Sequence, residues 1–274
     1  MKILIALLIT INSYASITSI YSTRDGSYLS FNQLLEELPK SGFVVLGEFH
    51  NTKSIQEAQA RIIKEKAILE NKQSSTRIMW EFLNHTDQEK INESFNFLLS
   101  RSISTEEFVT KVAGKQNLAY IPIMEVAKEF GNAPIALNLP RELKKKVMNE
   151  GIGSIDPIFV PAHHYVGGED YLTRFKLAMG GHAPDDMVAK YFLAQCLTDS
   201  VMSDEANKNH LNLSFIIAGS FHTDFFDGTV SRLREINSSE IISLKITSKE
   251  LYDEEFIIGS DLFGQYADFI LITQ

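Results

Sequence analysis

The stretch Val44-Val45-Leu46-Gly47-Glu48-Phe49-His50 constrains this chain more than any other. A short apolar run rich in β-branched residues is too brief for a helix and reads as a buried strand. Glu48 and His50 are two apart, and residues i and i+2 of an extended chain project from the same face. One strand end therefore delivers a carboxylate and an imidazole side by side. Such groups are costly to bury unless they are paired. The pattern is that of a working Glu-His pair or of a pair that ties down a loop.

Further strands are predicted at 77–82, 134–139, 213–218, 241–246 and 267–273. Helical spacing predicts helices at 27–38, 53–71, 87–100, 105–113, 121–130, 141–150, 185–207 and 228–236. This alternation implies an α/β fold with a mainly parallel central sheet flanked by helices. The segments at about 85–130 and 151–210 exceed simple connections. They are expected to form a helical lid or small subdomain over the strand C-terminal ends. Residues 151–184 show little periodicity and are rich in Gly and Pro.

The N-terminus reads as a separate object. Met1-Lys2 is followed by an apolar run at 3–11, interrupted by Thr10, and then by Ser13-Tyr14-Ala15. This is the pattern of a secretory signal peptide over 1–15, too short to span a bilayer, which takes ~20 residues. Residues 16–274 are then expected to form a single domain. Cys196 is the only cysteine, so neither an internal disulfide nor a Cys-based zinc site is expected, and no cysteine is placed for a lipid anchor. A soluble periplasmic protein of a Gram-negative bacterium is the expectation, with secretion as the alternative. The net charge of −9 argues against a nucleic-acid partner.

Ligands of open parallel sheets bind at the carboxyl ends of the strands. Here those ends carry Glu48 and His50, then Glu81 with Asn84 and His85, then Asn138 and Arg141, then His222 and Asp224. Glu48, His50, Glu81 and His222 are expected to converge. Such a set suits a divalent metal ion, or acid-base chemistry without one. Asn84, His85 and Asn138 read as loop-stabilising residues. On the 185–207 helix, Gln195, Asp199 and Met202 share a face. Asp199 there needs a His or Arg partner, and Met202 reads as core. The triplet Lys144-Lys145-Lys146 reads as a solvated face, with an anionic ligand as the rarer alternative. Tyr and His can ligate haem iron, which makes His163, His164, Tyr165, Tyr171 and His182 candidate haem-binding residues.

An ordered set of motifs runs from about residue 42 to 273. It comprises Gly47-Glu48-Phe49-His50, Trp80-Glu81-Phe82, Leu137-Asn138-Leu139-Pro140, residues 194–202, Ala218-Gly219-Ser220-Phe221-His222 and Gly264-Gln265-Tyr266-Ala267-Asp268. The set resembles the ChaN family of haem-binding, iron-regulated bacterial proteins. That family belongs to the superfamily that also holds Tiki/TraB-type metalloproteases and erythromycin esterases. The resemblance implies an α/β fold, an extracytoplasmic location and a role in haem or iron acquisition. Its expected partners are haem, a second copy of the chain in a homodimer and an outer-membrane haem receptor. Glu48, His50, Glu81, Asp199 and His222 match motif positions of the superfamily. Many members are lipoproteins, whereas this chain lacks the required cysteine.

Two functional readings stay open. The first is an extracytoplasmic haem-binding protein of haem and iron uptake, with haem as cofactor. The second is a hydrolase of protease or esterase type, metal-dependent or based on Glu and His alone. It would use Glu48, His50, Glu81, His222 and Asp199 as catalytic candidates, with the first four as metal ligands.

Overall fold

The computed structural model describes residues 17–181, 183–251 and 258–274. The expected signal peptide and His182 lie outside the described residues. The strands are β1 (Ile17–Ser22), β2 (Ser27–Tyr28), β3 (Gly42–Glu48), β4 (Thr76–Asn84) and β5 (Ile135–Asn138). They continue with β6 (Leu213–Gly219), β7 (Ile241–Ser248), β8 (Gly259–Ser260), β9 (Gly264–Gln265) and β10 (Phe269–Thr273). The helices are α1 (Phe31–Glu37), α2 (Lys53–Leu69), α3 (Gln88–Leu99), α4 (Thr105–Ala113) and α5 (Ile121–Phe130). After them come α6 (Arg141–Glu150), α7 (Glu169–Ala178), α8 (Asp185–Lys208) and α9 (Thr229–Ile236).

The main sheet runs in the order β2-β1-β10-β7-β3-β6-β4-β5, while β8 and β9 pair apart. From β10 to β5 all neighbours are parallel. Only β1 and β2 are antiparallel. The expected α/β architecture is the observed one. β3, β6, β7 and β10 are buried along their whole length, as parallel strands covered on both faces must be.

Alternation along each strand divides the core. Val44 and Leu46 of β3 join Trp80 and Phe215 in one cluster beneath α1 to α5. Phe43 and Val45 pack with Met79, Ile216 and, from α8 and α9, Met202 and Leu233. Met202 is therefore core, as its position suggested. Outside α8, Val147 of α6 packs on Leu197 and Val201.

The inserted helices α3, α4 and α5 are part of the main core, through Phe95, Phe108 and Ile123. Their connecting turn, Lys115–Tyr120, also reaches over the strand ends. α4 begins with a capping box, in which Ser104 and Glu107 satisfy each other's backbone amides. The aperiodic stretch 151–184 holds one helix that its composition hid, α7. β1 was also missed. It lies between the two-residue edge strand β2 and β10, and only Ile20 and Ser22 of it are buried.

Candidate functional site

Glu48 closes β3, opposite Gly219 of β6 and Ile246 of β7. It follows the Val44 and Leu46 alternation, so its carboxylate turns toward α2 and the 115–120 turn. It is almost fully buried, which is tolerated because every approach is met by a donor. Gln56 Nε2 donates to Oε2 at 2.8 Å, and the Tyr120 hydroxyl donates to Oε1. His50 Nδ1 lies 3.0 Å from Oε1. Burial alone would lower the His50 pKa. The hydrogen bond to Glu48 and the charges of Glu81 and Glu48 outweigh it, so the net shift is upward. The His50 side chain remains 40% exposed. The Tyr120 phenol is pushed far up by burial and by the Glu48 charge, so it stays protonated and keeps donating.

The second carboxylate is placed by a fault in the ladder. β4 pairs with β6 as far as Trp80 opposite Ile217, and its register with β5 slips between Trp80 and Asn84. At that slip Glu81 substitutes for a missing rung, its Oε2 accepting from Gly219 N at 2.6 Å. Glu81 Oε1 lies 3.4 Å from His222 Nε2, and His222 Nδ1 lies 2.6 Å from Asp199 Oδ1. Asp199 is completely buried on α8. It also accepts from the Tyr171 hydroxyl at 2.8 Å and from Thr229 Oγ1 at 3.0 Å. The partner that Asp199 required is thus His222.

Opposing effects fix the charges here. Burial disfavours the His222 imidazolium, but the flanking Glu81 and Asp199 carboxylates overcome it and hold the pKa at about 10. Burial pushes Glu81 up, and the His222 and His50 charges bring it down to about 2. At neutral pH this is an imidazolium clamped between two carboxylates. Gly219 joins the two halves. A Cβ there would stand 2.7 Å from His50 Nε2 and 3.5 Å from Glu81 Oε2. All five expected site residues therefore meet at one rim. Glu48, His50, Glu81 and His222 also line a cavity of about 460 Å³ together with Ser220.

The set does not resemble an open metal shell. Both His222 nitrogens face carboxylates, and Glu48 is spent on Gln56, Tyr120 and His50. Among the described residues no group of three or more His, Cys, Asp or Glu side chains is disposed to hold a metal ion. The expected metal site at Glu48, His50, Glu81 and His222 gains no support.

Sequence reasoning missed Gln56, Tyr120, Thr229 and Gly219. Gln56 had a signal, as a polar residue on the apolar side of α2 next to Ile55. Tyr120 had none, because its partner lies 72 residues away. Asp224 pairs with Lys245 and has a structural role.

Of the described haem-binding candidates, His163, His164 and Tyr165 lie on the loop before α7, and Tyr171 lies on α7 itself. An apolar pocket of about 400 Å³ opens there, lined by Val166, Leu172, Val188, Phe192, Leu193 and Cys196, with the Lys176–Asp185 ion pair also in its lining. Gly167, at φ +73°, seats the loop on it, since a Cβ would come within 2.5 Å of Phe192 and 3.2 Å of Cys196 Sγ. His163 is exposed, and His164 and Tyr165 are half-buried. The Tyr165 amide donates to Ser200 Oγ at 2.6 Å. Tyr171 is fully buried, with its hydroxyl engaged by Asp199 and Gln195. Burial and the Asp199 charge push its pKa well up. Tyr171 thus sits between the two regions and faces the buried acid. Tyr191, 44% exposed on α8, is a phenol that the sequence reading passed over.

The family described as haem-binding uptake, Tiki superfamily, ChaN matches residues 34–233. The chain belongs to the ChaN family. No curated protein matches it. Among solved structures, ChaN of Campylobacter jejuni, described with cofacial heme binding, superposes with a TM-score of 0.74 at 20% identity. That match covers 93% of this chain and 96% of the other, and it establishes the shared ChaN fold. The type III effector HopBA1 matches at 15% identity, 96% and 98% coverage and a TM-score of 0.46. The erythromycin esterase EreC matches at 12% identity, 93% and 83% coverage and a TM-score of 0.43.

Proposed function

We propose that this ChaN-family chain is an extracytoplasmic haem-binding protein that serves haem and iron uptake. The observation that carries the reading is the open apolar pocket on α7 and α8, beside a loop bearing His163, His164 and Tyr165. A porphyrin needs an apolar slot, counter-charge for its propionates and an axial donor. The lining residues fit the first need, Lys176, ion-paired with Asp185 at 3.4 Å, the second, and the loop the third. Haem would supply the iron that this protein holds or passes on. Cys196 is a poor donor, because burial pushes its thiol up and keeps it neutral. Burial pushes the Tyr165 phenol up to about 12, so it binds as a phenol that iron must deprotonate. Tyr171 supports the site from behind.

Val166, Leu177, Met187 and Tyr191 are large and exposed in this region. Porphyrin or a second copy of the chain would cover them, and an outer-membrane receptor is the proposed exchange partner. Among the described residues no helix is long and apolar enough to cross a membrane. The test is a hemin titration followed by absorption. A saturable Soret shift is expected, altered in position by Tyr165→Phe, His164→Ala or His163→Ala according to which side chain is axial. An unshifted Soret band at all protein concentrations overturns the proposal.

Hydrolysis has one specific observation behind it. Glu48 fixes His50 through Nδ1, and His50 lines the 460 Å³ cavity, as a general base would. Ester and peptide substrates test this reading. An activity that survives Glu48→Gln and His50→Ala unchanged excludes it.

A further inference from the structure

A larger cleft, about 850 Å³, lies on another face of α8, where Tyr191, Gln195 and Thr198 replace the apolar lining of the haem pocket. Its volume is within the range of small-molecule sites, about 300–1,000 Å³. Arg141, Lys144 and Lys145 project into it from α6, and Glu81 is its only acidic lining residue among the described residues. A cationic wall on a chain of net charge −9 is a local reversal of the molecule's field. The lysine triplet divides here. Lys146 is exposed, while Lys144 is half-buried and turned into the cleft.

Lys144 is under electrostatic stress. Burial lowers its pKa and the neighbouring Arg141 charge lowers it further, with Glu81 opposing both. Its ammonium donates to Asn138 Oδ1 at 3.0 Å, a neutral acceptor. Among the described residues no side chain caps the N-terminus of α6, whose dipole favours negative charge at that end beyond what Glu142 of the first turn supplies. An anion near Arg141 and Lys144 relieves all of this at once.

A second, independent observation lies on the 115–120 turn. Asn117 is completely buried and lines the same cleft. Its Nδ2 donates to Ala113 O at 2.7 Å, yet its Oδ1 has no partner. A buried acceptor left unpaired costs about 1–3 kcal/mol, and because Oδ1 is closed to solvent here, an incoming O–H or N–H meets it through a small shift of the 115–120 turn.

We propose that this cleft binds a small organic anion whose carboxylate or phosphate faces Arg141 and Lys144 and which carries a hydroxyl or amine donor for Asn117. The site is separate from the haem pocket and does not depend on haem being bound.

The test uses the full protein at constant ionic strength, with calorimetric titration and thermal unfolding. Malate probes a hydroxycarboxylate and glycerol 3-phosphate a hydroxyphosphate. Succinate is the control without a donor. One of the two hydroxylated anions should bind saturably and raise the unfolding midpoint, with succinate weaker. Arg141→Gln and Lys145→Gln, both at exposed positions, should each weaken binding by ~3- to 10-fold, within the range for one charged contact. Lys144→Met should weaken it more, and the hemin Soret response should be unchanged in all three. The proposal is overturned if neither anion binds at millimolar concentration. It is equally overturned if potassium chloride reproduces the shift, or if the Arg141 and Lys145 variants bind as the parent does.

Discussion

The two carboxylates at the strand ends began as equivalent features of the sequence and became opposites in the fold. Glu48 faces the α2 side, with one imidazole, one phenol and one amide around it. Its imidazole, His50, is half open to solvent and has a single contacting carboxylate. Glu81 faces the α8 side, where His222 is enclosed and shared with a second acid, Asp199. One extra carboxylate and the loss of water separate a titratable histidine from one whose charge is locked. Motif spacing brings an acid and a base together. The number of acids and the burial decide what the pair can do.

The sharpest way to break the contrast is Asp199→Ala. It strips His222, Tyr171 and Thr229 of their shared acceptor and leaves a buried charge with one partner fewer. Removing one member of a buried ionic network costs ~3–5 kcal/mol. Thermal unfolding should show the midpoint falling by roughly 6–20 °C. Asp199→Asn, which keeps two of the contacts, should lose less.

Glu81→Gln comes next. The Gly219 amide can still be met by the new side-chain carbonyl, at a cost of ~1–3 kcal/mol. The His222 pKa should then fall from about 10 toward the ordinary imidazole range, as NMR titration of the ring would record. A His222 that titrates unchanged would show that Asp199 alone sets its charge.

Gly219→Ala tests the joint between the halves. The added methyl would meet the His50 ring, so His50 must rotate away, at a cost of ~1–3 kcal/mol. His50 should return toward its free titration while His222 does not move.

Last comes the pH dependence of stability, where the smallest change belongs to His50. Raised histidine pKa values contribute stability that is complete below the unfolded value of 6.5. His222 loses that contribution gradually as pH rises through about 10. The depressed Glu81 contributes above 4.5 and loses its contribution as pH falls toward about 2. Denaturant midpoints should therefore be greatest between about pH 4.5 and 6.5. His50→Gln, at a half-exposed position, should change the unfolding free energy by less than ~1 kcal/mol.

The sheet was legible because each central strand is an apolar run that stops at a polar residue, as Leu46 stops at Glu48 and Ala218 at His222. Asp199 was legible as an acid on an apolar helical face. Tyr120, Thr229 and Gly219 were not, since their importance lies in contacts made across the fold. The burial of Tyr171 was not legible either, since α7 was not predicted and it is α7 that turns the ring inward against Phe192 and Phe221. β1 was hidden because only Ile20 and Ser22 of its six residues are buried, which leaves no apolar run to read.

The Glu81 carboxylate also turns a main-chain amide into an indicator. The Gly219 N–H ends the ladder of β6 on Glu81 Oε2, 2.6 Å away, while the other oxygen of the same carboxylate faces the imidazolium. Any molecule that draws on Glu81, or any proton that reaches it, will be felt in that one resonance. The protein thus carries an intrinsic spectroscopic probe at the seam of its cluster, readable by amide chemical shift and hydrogen exchange without a label.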